Sequence, residues 1–175
     1  MWVGDDVHPF PGRRVRLPAF DTARLQQTIR RLQSALAAVT PARTDSNLLI
    51  GTWNIRALGD LTTKWLAGPK DSPKRDWHAV ACLAAVISRF DVVAVQESRR
   101  NALALKRLMA DLGPHWQVII SDVTEGSAGN GERLAFLYDS TRVQPSGASS
   151  EITASGSATR STKRSSPQAF GLRPN

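Results

Sequence analysis

The stretch Asp91-Val92-Val93-Ala94-Val95-Gln96-Glu97 constrains the fold of this chain more than any other. Its apolar run is too short for a helix, is rich in β-branched valine, and stops at polar residues. That pattern predicts a strand covered on both faces, as in a parallel sheet. A second string, Gly51-Thr52-Trp53-Asn54-Ile55, follows the same plan, with Leu48 to Trp53 predicted as a first strand ending at Asn54. Strands that deliver a carboxylate or an amide at their tips build a site along one edge of an open α/β sheet.

The segments around these strings read as covering helices. Leu25, Ile29, Leu32, Leu36 and Val39 recur at helical spacing, with Asp21 as the expected N-cap and Pro41 as the stop. Asp76 is the expected cap of a second helix with Trp77, Val80, Ala81, Ala84 and Ile87 on its buried stripe. A third helix is predicted from Asn101 to Leu112, ended by Gly113-Pro114. Further strands are expected at Trp116 to Ser121 and Arg133 to Tyr138, separated by a Gly-rich loop. The order is a helix and then β-α-β-α-β-β, which predicts an α/β layered sheet with covering helices.

Three regions follow from composition. Residues 1–47 hold an irregular Pro- and Arg-rich leader and the first helix, and residues 48–147 hold the α/β segment. Residues 148–175 are dominated by Ser, Thr, Ala and Arg and are expected to be disordered. The formal charge of +8 and a pI near 10.7 point to polyanionic partners. The loop from Arg56 to Arg75, with Lys64, Trp65, Lys70 and Lys74, reads either as a nucleic-acid contact or as a solvated loop with one anchoring Trp. Cys82 is the only cysteine, so no internal disulfide forms, and a small buried hydrophobe is expected there. No apolar run approaches the ~20 residues of a membrane span, and the product reads as soluble and cytoplasmic.

Four residues carry the candidate chemistry. Glu97 ends a strand as a hard-oxygen ligand for a divalent cation, or else caps the next helix or pairs with Arg99 or Arg100. The Asn54 amide is placed to orient a phosphate oxygen or a metal-bound water, or else forms a turn. Arg133 opens a strand where a guanidinium can fork onto phosphate, or can pair with Glu132. Tyr138 packs in the core or hydrogen-bonds a substrate. His8, His78 and His115 read as structural or solvent-exposed.

Taken together, the first two strings and Gly131-Glu132-Arg133-Leu134-Ala135-Phe136-Leu137-Tyr138-Asp139 resemble the endonuclease/exonuclease/phosphatase superfamily, with its DNase-I-like fold. Ser72-Pro73-Lys74-Arg75-Asp76 also resembles its bacterial members. The resemblance implies a four-layer α/β/β/α sandwich of which this chain supplies the N-terminal half. It implies in-line attack of water on a phosphodiester or phosphomonoester, assisted by Mg²⁺ or Mn²⁺. Glu97 then matches the metal-binding glutamate and Asn54 the first-strand Asn of the phosphate and metal shell. Arg133 and Tyr138 match the ends of the strand that approaches the substrate phosphate.

The family's later Asp-x-Asn and Ser-Asp-His-like motifs have no counterpart here. Their loss coincides with the composition break near Gly147, which reads as truncation by a frameshift or premature stop. The expectation is an impaired hydrolase acting on nucleic acid or another phosphate ester. The alternative is a non-catalytic, basic nucleic-acid-binding remnant.

Overall fold

The computed structural model describes residues 19–121 and 132–146, together with 151–152, 164–165 and 170–172. The expected leader, the Gly-rich loop before Glu132 and most of the expected disordered tail lie outside the described residues. Seven elements build the main body: α1 (Ala19–Val39), β1 (Ile50–Leu58), α2 (Trp77–Ile87), β2 (Val92–Arg99), α3 (Leu103–Leu112), β3 (Trp116–Ile120) and β4 (Glu132–Asp139). Four more short strands follow. β5 (Val143–Pro145) pairs with β8 (Phe170–Leu172), and β6 (Glu151–Ile152) pairs with β7 (Arg164–Ser165).

The main sheet is open and mixed, in the order β1-β2-β4-β3. β1 and β2 run parallel, whereas β4 is antiparallel to both β2 and β3. The purely parallel environment expected for Val92 to Gln96 is thus corrected: β2 has one parallel and one antiparallel neighbour. The two faces also differ. Trp53, Val93, Val95, Ala135, Leu137 and Val118 turn to one side and join the core with residues of α2 and α3. Ile50, Thr52, Asn54, Gln96 and Gln117 alternate to the other side and are exposed. β2 itself keeps Val92, Val93 and Val95 buried, Val92 on the face opposite the other two, so the expected covering of both its faces holds there, whereas β1 alternates with period two.

The core beneath the sheet holds Leu58, Val80, Ile87, Val95, Leu108 and Leu137, all without exposed surface. Each such side chain stabilises the fold by about 1.5–3 kcal/mol relative to exposure. α2 is held at its start as expected: the Asp76 carboxylate accepts from Ala79 N at 2.8 Å and also from Ala67 N at 2.6 Å. Cys82, expected to be buried, is only partly so, because it sits beside the buried stripe rather than on it. Burial and the nearby Asp76 carboxylate together push its thiol pKa up. α1 starts at Ala19, so Asp21 lies inside the helix and not at its cap. Leu25 is buried on the expected stripe, but Val39 is 79% exposed. The chain turns at that point, where Thr40 closes on the Leu36 carbonyl and Arg89 Nε donates to Thr40 Oγ1.

A charged cluster ties the chain together at the end of the sheet where β2 starts. Asp91 accepts from Leu49 N at 2.7 Å, from Arg43 Nε at 2.9 Å and from Arg142 Nε at 3.1 Å. Arg43 also donates to Asp139 at 2.8 Å, and Arg142 Nη2 donates to the carbonyls of Thr44 and Asn47. The segment between α1 and β1 is thereby clamped onto both central strands.

Candidate functional site

The opposite end of β1 and β2 gathers the two leading candidates. Asn54 Nδ2 donates to Glu97 Oε1 at 2.6 Å, and Ala57 N donates to Glu97 Oε2 at 3.1 Å. The amide oxygen of Asn54 in turn accepts from Arg56 N at 2.9 Å. Both oxygens of the carboxylate are therefore aimed by neutral donors. Against the alternative of a helix cap or a pairing with Arg99 or Arg100, the hydrogen bonds of Glu97 run back to β1, and Arg99 acts on it only as a nearby charge.

Holding this arrangement requires unusual backbone. β1 does not stop at Trp53 as predicted but continues to Leu58 through an irregularity after Asn54, and β2 is likewise interrupted between Val95 and Ser98. Arg56 (φ 51°), Ala57 (φ 54°) and Glu97 (φ 60°) all take left-handed conformations. For side chains with a Cβ this costs about 1–2 kcal/mol per residue, so other contacts must offset it. One of them comes from the loop: Arg75 Nη2 donates to the carbonyls of Ile55 at 2.9 Å and Arg56 at 2.8 Å.

The electrostatics favour an ionised carboxylate. The Asn54 hydrogen bond first, with the Ala57 N–H and the nearby charges of Arg99 and Arg56, holds Glu97 below the ordinary carboxylate range against the opposing effect of desolvation. An ionised, pre-aimed carboxylate is a hard-oxygen ligand suited to Mg²⁺ or Mn²⁺. Among the described residues no three His, Cys, Asp or Glu side chains come together to hold a metal.

Arg133 is brought close to this end and Tyr138 is not. Arg133 lies directly across from Ser98, the residue after Glu97, whereas Tyr138 lies across from Val92 at the far end of β2. Five residue-to-residue steps of about 3.3 Å separate them along β4. Arg133 Nε and Ser98 Oγ are buried and have no hydrogen-bond partner, so the cross-strand pair carries unused polar capacity. The expected Glu132 partner of Arg133 instead lies 3.2 Å from Arg99.

The loop between β1 and α2 is ordered rather than free. Thr62 N donates to Arg75 O, Trp77 N to Lys64 O and His78 N to Trp65 O. Trp65 packs on the core and meets His78 edge-on at 5.8 Å, so it anchors the loop. Lys64 pairs with Asp71 at 2.7 Å. Sequence reasoning overlooked two features: the role of Arg75, which it grouped with the loop's other cations, and the buried Arg107–Asp111 pair. An Arg one residue before a helix cap and close to a strand-end site was the only available signal for the first.

Among the described residues no helix is long and apolar enough to cross a membrane. Compared with known proteins, the chain matches no family model and no curated relative.

Proposed function

We propose that this chain carries one side of a divalent-metal-dependent phosphoester hydrolase site, of the kind found in the endonuclease/exonuclease/phosphatase superfamily. The observation that carries the reading is the convergence of Asn54 and Glu97, 43 residues apart, into one aimed carboxylate at the strand tips. The exposed sheet face bearing Ile50, Thr52 and Gln96 supports the finer reading of the sheet as the first half of a four-layer sandwich. Stacked sheets bury such a face about 10 Å apart.

In this reading Glu97 binds Mg²⁺ or Mn²⁺, with Asn54 fixing the carboxylate's direction. Bound there, the ion neutralises charge developing on the phosphoryl oxygens. Asn54 and the Ala57 N–H leave each carboxylate oxygen one donor and a free lone-pair direction for the ion. Arg133, one strand over, supplies positive charge near the phosphate.

The basic-remnant reading, a nucleic-acid binder without catalysis, draws on exposed Lys70 and Lys74. It loses Trp65, which packs inward, and Lys64, which is paired. A single experiment separates the two. Supercoiled plasmid is incubated with the wild type and with Glu97→Ala, with and without Mg²⁺, over a salt series. Mg²⁺-dependent nicking lost in Glu97→Ala supports the hydrolase. Salt-sensitive binding without nicking, unchanged in Glu97→Ala, sinks it and supports the binder.

A further inference from the structure

We infer that Arg75 is a positioning residue that sets the aim of the Glu97 carboxylate without touching it; the inference rests on the metal-site reading above. Its Nη2 atom donates to the Ile55 and Arg56 carbonyls at 2.9 and 2.8 Å. Those two carbonyls flank the peptide that enters the left-handed pair Arg56 and Ala57. The left-handed turn, in turn, points the Arg56 N–H at Asn54 Oδ1 and the Ala57 N–H at Glu97 Oε2. Without a donor on the carbonyl side, only the Arg56 and Ala57 N–H bonds still hold the turn, and the two residues are freer to relax to ordinary strand dihedrals. That relaxation withdraws both N–H groups from the site.

Arg75 is itself fixed. Its carbonyl accepts from Thr62 N at 2.8 Å, and the next residue, Asp76, caps α2 and accepts from Ala67 N. The guanidinium is thus delivered by a loop that is pinned to both a helix start and its own earlier half. A charged donor bonded to two carbonyls is stronger than a neutral one and suits the task of holding strained backbone. The side chain is half-buried, and burial lowers its pKa without threatening its charge.

The test uses the full chain. Amide hydrogen exchange at Arg56 and Ala57 is measured in metal-free wild type, Arg75→Met and Arg75→Lys, with the amides of Val95 and Leu137 as core references. Mn²⁺ binding is measured in parallel by paramagnetic broadening. Loss of the donor in Arg75→Met is expected to speed exchange at Ala57 about tenfold while the core amides hold their rates. Mn²⁺ affinity is expected to drop at least about tenfold, as for other residues that orient a ligand from behind. Arg75→Lys, whose ammonium retains donors, is expected to restore much of both.

Unchanged exchange at Arg56 and Ala57 in Arg75→Met overturns the proposal, as does identical behaviour of the Met and Lys variants. Freed amides with no Mn²⁺ binding even in wild type uphold the positioning role and reject the metal reading instead. Should Arg75→Met fail to fold, the wild type alone decides. Slowly rotating, protected Arg75 Nη2 protons support the proposal, and freely averaging ones overturn it.

Discussion

Arg43 and Asp91, 48 residues apart, meet through two nitrogens of one guanidinium: Nε donates to Oδ1 at 2.9 Å and Nη2 stands 2.7 Å from the same oxygen. The Asp91 side chain has no exposed surface. It is therefore a buried anion whose neutralisation depends on Arg43 and Arg142, and whose second oxygen satisfies Leu49 N.

Asp91→Ala is expected to cost about 3–5 kcal/mol, because it removes the buried acceptor that two half-buried guanidinium groups share and leaves the Leu49 N–H unpaired. Urea denaturation gives the number. A loss below about 1 kcal/mol, the scale of an exposed pair, would show that the cluster is solvated and not structural.

The same cluster sets the response to acid. In Asp91, burial alone would raise the pKa, but the Leu49 N–H and the Arg142 and Arg43 guanidiniums together lower it. Asp139 behaves likewise, with burial outweighed by Thr141 and Arg43. The unfolded chain then takes up protons before the folded one does. Stability is full above the ordinary carboxylate value of about 4 and is lost as pH falls through the lower folded values. Asp111 contributes with the opposite sign, since burial raises its pKa. Urea midpoints are expected to be flat from about pH 7 to 5 and to fall below about pH 4, less steeply in Asp91→Asn. A midpoint that rises below pH ~4 contradicts this.

The Arg107–Asp111 pair is buried and badly satisfied. Its side chains are 3% and 5% exposed, and their one ion pair spans 2.9 Å. Arg107 Nε and Nη1, Asp111 Oδ2 and the neighbouring Trp77 Nε1 all lack partners. Arg107 also lies 5.6 Å over the Trp77 ring, which recovers part of the desolvation cost. Asp111→Leu alone is expected to destabilise by about 3–5 kcal/mol, whereas Arg107→Met combined with Asp111→Leu is expected to be neutral or to stabilise by about 1–4 kcal/mol. Chemical denaturation of the two variants side by side checks it; a double variant as damaged as the single one refutes it.

Gly59 marks a close approach. A Cβ there would fall 2.6 Å from Arg99 Cβ and 3.3 Å from Asn101 O. The Gly59 carbonyl also accepts from Ala104 N at 2.9 Å in the first turn of α3, whose cap residue Ala102 offers no side-chain acceptor. Gly59→Ala is expected to cost about 1–3 kcal/mol by pushing β1 away from the β2–α3 corner. Thermal melting reads the loss; an unchanged midpoint would mean that the corner yields freely.

Local chemistry was readable from the sequence and long-range geometry was not. Asp76 announces its helix because a cap acts within three residues, and Val92 to Val95 announce their strand by composition. Glu97 and Asn54 stood out because polar residues closing apolar runs are rare enough to notice. Nothing local marks Arg56 and Ala57 as left-handed, since neither is Gly or Asn; their conformation is imposed by Arg75 and Glu97 from elsewhere in the chain. Tyr138 was grouped with Arg133 because the two share a strand, but an eight-residue strand carries its ends to opposite rims of the sheet. Arg43 and Arg142 lie in segments that look like solvated linkers, and only the fold brings both to Asp91.

The strand order has a consequence for synthesis. Among the described residues β3 is hydrogen-bonded to β4 alone, and β4 sits between β2 and β3 although it is made after both. While the ribosome translates from Ile120 to Asp139, about one to four seconds at 5–20 residues per second, the nascent β3 has no complete strand to join and β2 presents a bare edge. The sheet cannot zip up in the order of translation; its centre is the last piece in. Any chaperone or neighbouring chain that intercepts this protein has its opening in that interval.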